Sequence, residues 1–188
     1  TMDFLSHVIT CCEQPEPALR RYLRNLLSRN GFVIETDRYR SPRACRTPNL
    51  RAVRGAPTLG LIAHTDTCRE HEEDIRHPRP VVCTRETRRG QRQVIQDRST
   101  SVQLGGDDRL GVAIITWAAL AMPDAPLSLL FTTDEEIGLQ SAAELPESWT
   151  RCLDLLVEVD RGNQGEAQLV TSIGGLRLCS ARTERMLL

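Results

Sequence analysis

The sequence predicts an α/β fold built on a mostly parallel central sheet, and three observations carry that prediction. The runs TLGLIA (58–63), LSLLFTT (127–133) and LDLLVEV (153–159) are short and almost continuously apolar, as strands covered on both faces are. A helical pattern, DDRLGVAIITWAALAM (107–122), lies between the first two runs and stops before Pro123. A shorter helix is expected after Gly138, between the last two. Strands alternating with helices mark crossover connections and parallel pairing.

Taken in chain order, the first thirty residues read as two helices. Phe4, Leu5, Val8 and Ile9 form one apolar face, and Pro15 and Pro17 interrupt it. Leu19, Leu23, Leu26 and Leu27 then recur at helical spacing until Asn30-Gly31 supply a stop. FVIET (32–36) reads as a strand. Residues 37–54 carry six Arg against one Asp. This reads first as a solvated hairpin or loop, and second as a positive rim facing a carboxylate-bearing substrate. The stretch 69–98, with eight Arg, six acidic residues and prolines at 78 and 80, is a long excursion. It is expected to be partly β around VVC and QVIQ. After Asp160, GEAQLVTS and LRLCSA read as one or two last strands.

Composition narrows the function classes. The chain has 188 residues, 40% of them hydrophobic and 4% aromatic, enough for one domain, 1–188, with an aliphatic core. Its 24 basic residues, all Arg, balance 25 acidic ones to a net charge of −1, which removes the electrostatic case for a nucleic-acid or membrane-surface partner. No run approaches the roughly 18 apolar residues that a membrane span needs. The start, TMDFLSHVIT, lacks the basic and apolar regions of a signal peptide. Seven cysteines, an odd number with no CxxC pair, fit reduced thiols. A cytoplasmic location is therefore expected.

In open α/β sheets, function gathers beyond the carboxyl ends of the strands. Here TLGLIA runs into His64-Thr65-Asp66, LSLLFTT into Asp134-Glu135-Glu136, and LDLLVEV into Asp160, while Gly105-Gly106-Asp107-Asp108 opens a helix. Singly, each group has a bland account: the aspartates and glutamates cap helices, and the histidine is a satisfied core residue. Together, so many carboxylates on one edge would repel each other and raise their pKa values. A divalent cation resolves that conflict. One imidazole among carboxylates suits zinc, with manganese or cobalt as substitutes.

LIAHTDT, GGDDRLGVA, FTTDEEIG and VEVD, in that order, resemble the co-catalytic di-zinc exopeptidases and amidohydrolases, which include tripeptidase T, aminoacylase, carboxypeptidase G and succinyl-diaminopimelate desuccinylase. The resemblance covers about residues 58–165. It implies a zinc-exopeptidase-like three-layer sandwich and assigns roles. His64 would bind the first metal, with Asp66 orienting its imidazole. Asp107 would bridge two metals, with a cis bond to Asp108. Glu135 would be the general base, Glu136 a ligand of the second metal, and Asp160 the last ligand of the first. The implied reaction is hydrolysis of the amide bond in short peptides or N-acylated amino acids.

The family pattern is incomplete here. Its second metal takes a histidine from far downstream, yet the four histidines stand at 7, 64, 71 and 77. Only 28 residues follow Asp160, too few for the family's lid or dimerisation domain. The expectation is a catalytic domain lacking the lid, with one well-formed metal site and a second that is incomplete unless Cys68, His71, His77 or a partner subunit contributes. A homo-oligomer is expected to cover the apolar surface so exposed. An impaired domain acting as a metal- or ligand-binding or regulatory module is the alternative, and retention of Glu135 argues for the enzyme.

Overall fold

A computed structural model describes residues 3–42, 47–67, 78–87, 90–98, 104–160, 172–173 and 176–177. Two helices lead: α1 (Phe4–Glu13) and α2 (Glu16–Ser28). Asp3 caps α1, its carboxylate accepting from the Ser6 amide at 2.9 Å. Pro17 falls in the first turn of α2, where its missing N–H costs nothing, and Gly31 turns the chain out with φ 81°. The strands β1 (Val33–Thr36), β2 (Leu50–Arg54), β3 (Leu59–His64), β4 (Pro80–Thr87) and β5 (Gly90–Asp97) come next. After them come α3 (Gly106–Ala121), β6 (Leu127–Thr132), α4 (Gln140–Ala143), α5 (Glu147–Thr150) and β7 (Leu155–Glu158). The two-residue strands β8 (Ser172–Ile173) and β9 (Leu176–Arg177) pair with each other. The rest of the GEAQLVTS and LRLCSA segments lies outside the described residues.

The central sheet has the order β1-β2-β6-β3-β7. β3 pairs in parallel with both β6 and β7, and β2 is antiparallel to β6 and to β1. Four of the five strands therefore point one way, and β2 alone opposes them. That is the mostly parallel α/β sheet the sequence predicted. The excursion at 69–98 contributes a separate antiparallel hairpin, β4–β5.

Helices α1, α2 and α3 cover one face of the sheet. Val8, Cys11, Leu19, Leu23 and Leu27 meet Val112, Ile115 and Ala119 over Leu127, Leu129 and Phe131 of β6. Alternation turns Leu130 to the opposite face, where it joins Ile62 and Trp149 under α5. The third layer is thin among the described residues. Accordingly β6 is buried throughout, but β7 is an edge strand with Leu155 and Leu156 38% and 41% exposed. The expectation that LDLLVEV is covered on both faces is corrected to that extent: Leu155 and Leu156 point to opposite faces, and the described residues cover neither fully.

The basic stretch 37–54 meets its expected hairpin or loop character in part: residues 37–42 and 47–49 carry no regular structure, Arg38 and Arg40 are exposed, and the stretch ends in a strand antiparallel to β1. Its last five residues are β2, inside the sheet. Leu50 and Ala52 enter the core while Arg51, 8% exposed, donates to Ser128 Oγ and Glu35 Oε2, each at 3.1 Å. Arg54 stacks over the Phe32 ring at 4.2 Å and donates to the Ala119 carbonyl near the end of α3. These guanidiniums use long apolar stems to reach polar partners from within a layered fold, so neither forms a free positive rim. No helix among the described residues is long and apolar enough to cross a membrane.

Candidate metal centre

The parallel register of β6, β3 and β7 sets three loops side by side. His64 is the last residue of β3 and pairs with Thr132 at the end of β6. On the other side, the Val159 amide donates to the Ile62 carbonyl at 3.0 Å, which carries Asp160 to the same edge. At the start of α3, Asp107 and Asp108 depart from helical geometry and are joined by a cis peptide bond. The helix proper begins at Arg109.

His64 is 2% exposed, and its two nitrogens face different partners. Nδ1 lies 3.1 Å from the Asp66 carbonyl oxygen and 3.4 Å from Asp66 Oδ1. Nε2 lies 3.2 Å from Asp107 Oδ1 and 3.8 Å from Glu135 Oε2. Ligand atoms of His64, Asp107 and Asp160 lie within 4.8 Å of one another, as do those of His64, Glu135 and Glu136. All six residues singled out in the sequence therefore meet at one edge. Glu136 groups with His64 and Glu135, however, and no described group of three joins it to Asp107. Cys68, His71 and His77 lie outside the described residues.

Asp66 does more than face the imidazole. Its Oδ1 accepts from the Glu135 amide and its Oδ2 from the Glu136 amide, each at 3.2 Å. One buried carboxylate thus fixes both the histidine and the acidic turn. Burial alone would raise its pKa, but the His64 hydrogen bond and charge, then those two amides, hold it well below the carboxylate range. His64 responds in kind. Burial would lower its pKa, yet the Asp66 hydrogen bond and the charges of Asp108, Asp66 and Glu135 raise it to about 10.

Three further features were not assigned from the sequence. Asp108, 2% exposed, accepts from the His64 amide at 3.3 Å and the Gly111 amide at 3.0 Å, tying β3 to α3. Burial, and then the Asp160 charge, push its pKa up to about 9. Glu158, at the end of β7, is pushed up to about 7 by burial and by Asp160 and Glu135. Tyr39 donates from its hydroxyl to Asp134 Oδ2 at 2.7 Å, bracing a residue held at φ 55°. The DD and VEVD motifs could have flagged the two acids; no sequence signal marks Tyr39.

The donor chemistry fits a divalent cation. Burial also raises the pKa of Glu135, with Asp160, Glu136 and Asp66 adding repulsion. An acid whose ionisation is opposed by burial and by neighbouring carboxylates beside an imidazole is relieved by a dication.

No protein-family model and no curated protein matches the sequence. Solved structures do match the fold. A tripeptidase from Staphylococcus aureus subsp. aureus Mu50 aligns at TM-score 0.65 and 19% identity, over 85% of this chain and 43% of that one. Aminopeptidase PepT from Bacillus cereus aligns at 0.62 and 18%, over 85% and 43%. Human carnosine dipeptidase 1 aligns at 0.50 and 15%, over 84% and 38%. The chain spans less than half the length of each. The fold is therefore that of peptidases over the matched part, and the resemblance carried by the four motifs recurs at the level of backbone architecture.

Proposed function

We propose that residues 1–188 carry a metal-dependent hydrolase centre that cleaves the amide bond of short peptides or N-acylated amino acids. The observation that carries this reading is the convergence on His64: its Nε2 faces Asp107 Oδ1 and Glu135 Oε2, and its ligand atoms group with those of Asp107 and Asp160 and with those of Glu135 and Glu136. His64, Asp107 and Asp160 would hold the ion. Zinc suits this mixed N/O set, with manganese or cobalt able to replace it. A bound divalent cation supplies Lewis acidity at neutral pH.

The remaining work falls to the chain. Glu135 takes the proton of the attacking water and returns it to the departing amine; its raised pKa brings it nearer the working pH of a general base. Asp66 holds the imidazole so that Nε2 faces the centre, and pins the amides of the acidic turn so that Glu135 stays beside it. Because both candidate groups use the same His64, we expect one tightly held ion per chain rather than two. The fold shared with a tripeptidase, an aminopeptidase and a dipeptidase supports peptides as the first substrates to try.

The test is an assay of di- and tripeptides and N-acyl amino acids with added zinc, manganese or cobalt. Turnover that disappears in Glu135→Gln is the expected result. Failure of every substrate with every metal would leave the binding-module alternative.

A further inference from the structure

The first helical segment reaches the candidate centre through a buried polar knot. Arg20 on α2 is 5% exposed and Glu16, one turn earlier, 1%. Their ion pair spans 4.0 Å. Arg20 Nη1 donates to Thr65 Oγ1 at 2.9 Å and to the Phe131 carbonyl at 3.4 Å, while Nη2 donates to the Pro48 carbonyl. Thr65, fully buried, places its hydroxyl 2.7 Å from Glu16 Oε1 and 2.8 Å from the Thr132 carbonyl, and its own amide also donates to Thr132.

Thr65 stands between His64 and Asp66. Phe131 and Thr132 end the strand that leads to Asp134-Glu135-Glu136. One guanidinium therefore holds the ends of β3 and β6, and Asp66 continues the link to the Glu135 and Glu136 amides. Burying a charged pair from a helix costs desolvation, and an apolar pair of similar volume is often at least as stable. What such a network supplies instead is one fixed arrangement of the groups it touches.

We propose that Arg20, Glu16 and Thr65 are positioning residues that set the separation of the His64-Asp66 loop from the Glu135-Glu136 loop. The proposal rests on the metal-centre reading for its zinc readout and stands apart from it for the other. Thr65→Val keeps the shape and removes the hydroxyl; Thr65→Ser keeps the hydroxyl.

The first measurement is amide hydrogen exchange of the metal-free chain, with β4–β5 as the internal reference. In Thr65→Val, exchange at 64–66 and at 133–136 is expected to speed up together while β4–β5 is unchanged, and Thr65→Ser is expected to restore both. Arg20→Lys, which retains charge but not the fork of donors, is expected to fall between. The second measurement is zinc affinity by competition with a chromogenic chelator. Thr65→Val is expected to weaken it about tenfold or more, as loss of groups that orient ligands does.

Unchanged exchange, acceleration confined to one of the two loops, or zinc affinity within twofold of the parent in Thr65→Val would overturn the proposal. A parent chain that takes up no zinc while both loops respond to Thr65→Val would support the knot and overturn the metal reading alone.

Discussion

The carbonyl oxygen of Val159 packs directly on Gly111, so closely that a Cβ at 111 would collide with it and with the Asp108 carboxylate. The contact brings the segment bearing Asp160 onto the start of α3, where Asp107 stands. Gly111→Ala is expected to push Val159 and Asp160 away, weakening zinc at least tenfold and costing about 1–3 kcal/mol of stability, as overpacking does. Gly106→Ala is the control, since no atom within 4 Å meets a Cβ there. Equal zinc titrations for the two variants would contradict this account.

Removing the proton acceptor tests the chemistry separately from binding. Glu135→Gln is expected to lower kcat by about 10²–10⁴ with whichever substrate turns over, and to retain the metal. Asp66→Asn is expected to show the opposite balance, losing about 10–100-fold in metal affinity because the imidazole loses its partner. Steady-state kinetics beside metal analysis of the same preparations distinguishes the two effects.

His7 provides a pH test away from the centre. Buried between α1 and α2, with Nδ1 2.9 Å from the Tyr22 hydroxyl and Nε2 3.9 Å from Cys11 Sγ, it has its pKa lowered to about 4 by burial. The unfolded chain takes up this proton near pH 6.5 and the folded chain only near 4. Stability from this group is therefore complete above about pH 6.5 and falls as pH drops toward 4, by about 3 kcal/mol at most. Urea melts of the parent and His7→Gln at pH 7 and pH 4.5 should diverge, with the parent losing more. Parallel losses would count against it.

The core makes a plainer prediction. Leu23 is fully buried in the cluster that joins α2 to the sheet. Leu23→Ala is expected to cost about 2–5 kcal/mol, read as a lower denaturation midpoint, without altering zinc stoichiometry.

The strands β3 and β6 were legible in the sequence because burial on both faces removes polar residues from them, leaving a continuous apolar run. The strand β2 was not: in LRAVR the two arginines fall on opposite faces and break the alternation, and only the structure shows Arg51 meeting Ser128 and Glu35. Five of the six acidic and imidazole residues were legible because they stand within three positions of the end of an apolar run, and Asp107 because it opens a helix after Gly105-Gly106. What could not be read was the support beneath them. Tyr39 on Asp134 and Arg20 on Thr65 span 95 and 45 residues of sequence, and contacts at such separation leave no local period or spacing behind.

The parallel register of β3 with β6 and β7 also decides when the centre can exist. His64 and Asp160 are 96 positions apart, and they become neighbours only once β7 has paired with β3. Such long-range pairings form late and slowly, because chain closure must precede any gain from the contacts. A partly folded chain offers isolated carboxylates but no cage, so it should hold cations weakly. Tight uptake of an ion would thus report completed folding of the sheet, and each ion captured would draw the folding equilibrium further toward the native state.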